Sequence, residues 1–189
     1  MVEITISNKE LKEVYSLAKK RHNAKDISFR NSSQFNTSKN EYAPHSIGLL
    51  GEYAWGQHTG QSVDENIYAV RDGGEDFEGT EVKTITYFGE GEPELKIPKT
   101  EFDSRNPTLY VLCRVDKKNL NTIYILGTIS RKSFDENKME KQYRSDAPIN
   151  YIVPLSKMDK VLNTDFFSSF RSYKGCVPAG VLLPEITVE

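Results

Sequence analysis

Asp72-Gly-Gly-Glu-Asp-Phe-Glu-Gly-Thr-Glu-Val-Lys-Thr84 is the stretch on which the fold turns, a glycine-punctuated turn running into two short extended pieces joined by Glu78-Gly79. A two-residue hairpin turn at Glu78-Gly79 pairs Phe77 with Thr80 and sets Asp76 opposite Glu81, with Cβ atoms roughly 5 Å apart. Side chains alternate along a strand, so Lys83 projects on the face of Glu81, about 7 Å further along, while Val82 points into apolar packing. Two directly opposed carboxylates destabilise a hairpin unless a cation lies between them. The set suits Mg²⁺, a hard cation that takes one or two carboxylates and keeps positions open for water and a substrate phosphate. Asp76 and Glu81 are the expected ligands, with the backbone carbonyl of Val82 as a further oxygen. Lys83 is expected to steer the attacking water and to stabilise charge on the phosphorus centre. The competing reading is an exposed ladder of cross-strand ion pairs, which a highly charged chain produces by accident. Asp72, Glu75 and Glu78 crowd the same turn, so a one-position shift in the choice of aspartate stays open.

Upstream, the segment from His45 to Gly60, HSIGLLGEYAWGQHTG, predicts a helix in which Ile47, Leu50 and Ala54 recur at helical spacing and Gly60 offers a terminus. Gly48, Glu52 and Trp55 share one side of it, so a small glycine lets that side approach another layer and carries the Glu52 carboxylate inward. Residues 7–22 read as an amphipathic helix with a Ser7/Glu10 capping box and Leu11, Val14, Tyr15 and Ala18 on its apolar stripe. Its basic end, Lys19-Lys20-Arg21-His22, suits the negative end of the helix dipole, the reading preferred over phosphate contact. Between the two helices, residues 31–40 are polar and loop-like. Strands are expected at 67–70, around Asp76-Phe77, and at 80–88, 108–115 and 122–129, each β-branched or aromatic-rich. Helices are expected at 131–142 and 156–170. The chain therefore reads as α/β, a central mixed sheet of four to five strands flanked by helices.

The length, 189 residues, fits one domain with its own core, and 37% hydrophobic against 28% charged residues places it among globular rather than disordered chains. No apolar run is long enough to span a membrane and the first residues lack a signal-peptide pattern, so a cytoplasmic protein without membrane partners is expected. Cys113 and Cys176 are too far apart for a cysteine-rich metal site. The net charge of −2 disfavours a protein that coats nucleic acid through excess Lys and Arg, but says little against a nuclease, whose acidic ligands lower the total. His22, His45 and His58 are dispersed, which disfavours zinc, and no Gly-x-Ser-x-Gly elbow offers a nucleophile. Trp55, Tyr68, Tyr87, Tyr110 and Tyr124 are assigned to packing rather than base stacking. Arg131 and Lys132, between a strand and a helix, could touch a phosphate backbone or form an ordinary solvated helix start.

Gly-Leu-Leu-Gly-Glu52-Tyr-Ala, Gly-Gly-Glu-Asp76-Phe and Glu81-Val-Lys83-Thr, in that order, resemble the PD-(D/E)xK nuclease superfamily, the fold of many restriction enzymes, repair nucleases and phage nucleases. The likeness spans about residues 47–84, with Glu75 in place of the proline that names the family. It implies a restriction-endonuclease-like core of helix, three strands, helix and strand. It further implies a single domain over 1–189, with an N-terminal helix at about 7–22, a nuclease core at about 45–132 and a C-terminal helical extension at about 133–189. On that likeness Glu52 joins Asp76 and Glu81 at the metal, Lys83 is the catalytic lysine, Mg²⁺ is the cofactor with Mn²⁺ as a substitute, and DNA is the substrate. Endonucleolytic cutting is favoured, with RNA, exonucleolytic action and a homodimer left open. The competing class is a module that keeps the fold without the activity and holds DNA or a protein.

Overall fold

The computed structural model describes residues 1–24, 43–67, 75–86, 91–116 and 118–162. Two segments, LYVLCRV and TIYILGTIS, lack the polar alternation of a half-solvated strand and must be covered on both faces. They form β4 (Leu109–Val115) and β5 (Thr122–Ser130), antiparallel neighbours in the middle of a four-stranded sheet. Leu126 falls at a bulge between the pairs Leu112/Gly127 and Cys113/Ile125, which shifts the phase of alternation along β5. β1 (Val2–Thr5) runs antiparallel to β5, and β2 (Thr80–Ile85) runs parallel to β4, giving the order β1-β5-β4-β2 with β2 at an edge.

One face of this sheet is covered by α1 (Asn8–Ala24) and α2 (Ala43–Thr59). Val14, Leu17 and Ala18 of α1 and Leu49, Leu50, Ala54 and Trp55 of α2 pack with Val82, Val111, Cys113, Ile123 and Ile125 in one buried cluster. The other face meets β3 (Glu94–Pro98), α3 (Lys99–Ser104), α4 (Arg131–Asn137), β6 (Met139–Lys141) and β7 (Asn150–Pro154), whose strands form a second, antiparallel sheet in the order β3-β7-β6. Leu95, Ile97, Phe102, Phe134, Tyr151 and Val153 close on Tyr110, Leu112, Leu126 and Ile129 in a second cluster. The central sheet is thus a middle layer. No helix among the described residues is long and apolar enough to cross a membrane.

The capping box at the start of α1 is formed: Ser7 N–H donates to Glu10 at 2.7 Å and Glu10 N–H to Ser7 Oγ at 3.2 Å. The close approach of α2 to the sheet comes from Gly51 rather than Gly48. A Cβ on Gly51 would lie 1.9 Å from Thr84 Oγ1 and 3.3 Å from Cys113 Cβ, whereas one on Gly48 would meet nothing within 4 Å.

The expected helix at 131–142 stops at Asn137. Phe134 is its buried residue, Lys138 turns extended, and Met139–Lys141 pair with β7 instead. DENKMEK has helix-forming residues but no apolar stripe to hold it on the core, so pairing with a neighbouring strand prevails. The C-terminal helical extension is likewise replaced over the described residues by β6, β7 and a short 3-10 turn at Leu155–Lys157. The extension beyond 162, the loop at 31–40, Tyr68–Val70, Asp72, Tyr87 and Cys176 lie outside the described residues.

Candidate functional site

The site begins at the hairpin. Phe77 N–H donates to Thr80 O at 3.1 Å and Thr80 N–H to Phe77 O at 2.9 Å, so Glu78-Gly79 is the two-residue turn expected from the sequence. Gly79 takes φ 68°, a conformation that glycine adopts without a Cβ penalty. Glu75 accepts from Gly79 N–H at 2.6 Å and Thr108 Oγ1 donates to Gly79 O at 2.8 Å, pinning the turn from both sides. Glu75 and Glu78 are exposed at the tip, whereas Asp76 is half-buried.

Asp76 Oδ2 accepts from Val82 N–H at 2.8 Å, at the free edge of β2. A strand residue's N–H and C=O point the same way, so the Val82 carbonyl shares the edge that Asp76 occupies. Burial, followed by the negative charges of Glu52 and then Glu81, pushes the Asp76 carboxyl up to about 8. Glu52 reaches this point because Gly51 seats α2 against β2. Its carboxylate is buried and lies 3.6 Å from Arg21 Nη1 of α1. Arg21 is itself anchored on the carbonyls of Asp64 and Asn66, at 2.5 and 3.3 Å.

Glu81 and Lys83 share the opposite face of β2, as the alternation requires. Lys83 Nζ donates to Glu81 Oε1 at 2.7 Å and to Glu101 Oε1 at 2.6 Å. Arg105, the residue after α3, donates from Nη1 to both Glu81 oxygens at 3.1 and 3.2 Å. Glu81 is 3% exposed, and burial raises its carboxyl even though Lys83 and Arg105 pull the other way. Burial works against the Lys83 ammonium, but Glu81 and Glu101 outweigh it and leave its pKa raised. Lys83 is therefore a charged donor at neutral pH.

Sequence reasoning missed Arg21, Glu101 and Arg105. Arg21 carried a signal in the basic end of its helix, though as a dipole partner. Glu101, in a helix too short for periodicity, and Arg105, the residue just after it, carried only their spacing. Of the residues expected at a phosphate backbone, Lys132 is exposed, but Arg131 is tied inward: it donates to Tyr110 OH at 2.9 Å and to Phe102 O at 2.8 Å, with its guanidinium 3.9 Å from the Phe102 ring centroid. Its position joins α4 to α3 and β4. Trp55 and Tyr110 are buried, in keeping with their assignment to packing.

Among the described residues no three of His, Cys, Asp and Glu are spaced as a ready-made metal cage. The donor chemistry still suits a hard cation. Asp76 and the Val82 carbonyl are oxygen donors on the free edge of β2 and Glu81 is a further one on a face of the same strand, and Mg²⁺ is bound through few protein oxygens and several waters. Compared with protein-family models, with curated proteins and with solved structures, the chain matches none.

Proposed function

We propose that this protein is a Mg²⁺-dependent nuclease hydrolysing phosphodiester bonds, with DNA as its substrate. The observation that carries this reading is the hairpin, which sets the Asp76 carboxylate on the free edge of the strand that carries Glu81 and Lys83, where burial first and then the charges of Glu52 and Glu81 push it up to about 8. Asp76, Glu81 and the Val82 carbonyl would hold the ion and Glu52 would sit behind them. When bound, Mg²⁺ supplies Lewis-acid polarisation of the phosphate and lowers the pKa of the attacking water. Lys83, charged and donor-only, orients that water and stabilises negative charge on the phosphoryl oxygens; it does not act as the base. Glu101 keeps the ammonium in place at 2.6 Å.

The order of elements supports a restriction-endonuclease-like core: the Glu52 helix, then the hairpin, then the acid-x-lysine strand β2, then α3 and the parallel strand β4. The departure is β3, inserted between β2 and α3 and given to a second sheet.

A second reading, a nuclease-like module that binds without cutting, draws on the same side chains. Glu52 is matched by Arg21 and Glu81 by Lys83 and Arg105, so the cluster is partly self-neutralised. Digestion of linear, circular and single-stranded DNA and of RNA, with Mg²⁺ and with chelator, separates the two. The nuclease is expected to cut with metal only and to lose at least a hundredfold in rate in Lys83→Ala and Glu81→Ala. Undiminished cutting by both variants sinks the site, and binding without cutting selects the module.

A further inference from the structure

We infer that Arg114 binds a backbone phosphate of the nucleic-acid strand beside the cleavage site. The inference rests on the nucleic-acid reading of that site and adds a residue outside its motif. Arg114 is the one charged residue of β4, LYVLCRV. The register sets Glu81 beside Tyr110, Lys83 beside Leu112 and Ile85 beside Arg114, and Tyr110 and Leu112 face the second layer. Arg114 therefore shares the sheet face of Glu81 and Lys83, one strand further in and one side-chain step beyond Lys83. Among the described residues, Arg114 Nε is the buried side-chain nitrogen or oxygen that has no hydrogen-bond partner. A dry, unpaired donor on a cation is costly to keep, and an aliphatic residue here would avoid the cost. The guanidinium carbon lies over the Tyr124 ring, 4.9 Å from its centroid. A ring face holds a cation in place but leaves its charge, whereas a carboxylate would neutralise it. Donor and charge are thus ready for an acceptor brought from outside.

The acceptor follows from chemistry and place. A guanidinium presents Nε–H and Nη–H donors in a planar fork that fits two oxygens of one phosphate. Ile85, the register neighbour of Arg114, also lines a cavity of about 400 Å³. Lys96 and Lys141 share that cavity, with their ammonium groups 4.3 and 4.9 Å from the centroid of the exposed Tyr143 ring. Glu94 offsets Lys141 at 2.9 and 3.1 Å, and Glu92 accepts from Ser156 N–H, so the cavity is polar without a strong charge of its own. It gives room for the sugar and base of a nucleotide whose phosphate lies on Arg114. A strand that passes Lys83 along this face reaches both.

The test uses the full chain with two neutral variants, Arg114→Met and Arg114→Gln, and Arg114→Lys as the conservative one. Thermal midpoints are read by circular dichroism, and affinities for short fluorescent DNA and RNA, single-stranded and duplex, by anisotropy in Ca²⁺ over a range of salt. Arg114→Met removes the unpaired donor, so its midpoint is expected to be no lower than the parent's, although a structural arginine would lower it. Both neutral variants are expected to bind the strand that the parent prefers about tenfold more weakly and to lose about one unit of salt slope. Arg114→Lys, which keeps the charge but not the fork, is expected to keep the slope and recover only part of the affinity. Unchanged affinity and slope in the neutral variants overturn the inference. So does a fall in midpoint that Arg114→Lys restores while the salt slope stays constant throughout, because Arg114 would then only support the fold. Parent protein that binds neither DNA nor RNA sinks the nucleic-acid reading itself, whereas a binding parent with equally binding variants sinks the role of Arg114 alone.

Discussion

At the scale of single residues, Asp76 sets the pH behaviour. In the unfolded chain an aspartate titrates near 3.9, while in the folded protein burial and the charges of Glu52 and Glu81 hold Asp76 up to about 8. Between those values the folded state keeps a proton that the unfolded chain has lost, so this group makes stability fall as pH rises from about 4 to about 8, and level off above. A cation at Asp76 must displace that proton. Mg²⁺ affinity followed by calorimetry is therefore expected to rise roughly tenfold per pH unit up to about pH 8 and then flatten; a flat profile between about pH 6 and pH 8 would show that Asp76 is not a ligand. Asp76→Asn keeps an oxygen for Val82 N–H and removes the charge. Chemical denaturation in chelator at pH 8 should find the variant about 1–3 kcal/mol more stable than the parent, at the cost of metal binding. The residues at this scale were legible where alternation on a strand dictates direction, as for Glu81, Lys83 and Val82. Arg21, Glu101 and Arg105 were not, because what brings them in is the packing of α1 and α3 on the sheet, and no local pattern encodes it.

At the scale of elements, the contact that delivers Glu52 is the seat of α2 on β2 at Gly51. Gly51→Ala puts a methyl into the space of Thr84 Oγ1 and against Cys113, so the helix must lift or the threonine must turn. A loss of about 1–3 kcal/mol in denaturant unfolding is expected, with Thr84→Ala recovering most of it in the double variant. Equal and additive losses would mean that the two residues do not compete for that space. Both long helices were readable from their caps and periodicity, and β4 and β5 from their unbroken apolar runs. β3 was missed although Leu95 and Ile97 alternate with exposed Lys96, because the four residues between Pro93 and Pro98 offer too short a pattern; the prolines suit its place at a sheet edge. The helix expected at 131–142 failed for the opposite reason: its propensity was favourable, but it had no second buried turn to hold it.

At the scale of the whole molecule, the second sheet is what composition could not announce. It buries the face of β4 and β5 that α1 and α2 leave open, and α3 connects directly to its strand β3, so Glu101 and Arg105 reach the site through this added layer. Under the proposed metal site, binding of the ion would add to the stability of the whole fold. At a Mg²⁺ concentration about a hundred times its dissociation constant, the gain should be about 2.7 kcal/mol, a rise of several degrees in thermal midpoint for a chain of this length. The rise should vanish in Asp76→Asn; a shift of the same size in that variant would locate the ion elsewhere. The parallel pairing of β2 with β4 has a consequence in time as well as in space. Parallel neighbours need a crossover, here the chain from Ile85 to Leu109, and the entropy of closing it is spent before any of its contacts form. Since Arg105 and Glu101 ride on that crossover, Lys83 and Glu81 acquire these partners only when the crossover docks. The complete charge arrangement therefore forms only where that crossover has docked, and the short motif on β2 does not by itself contain it.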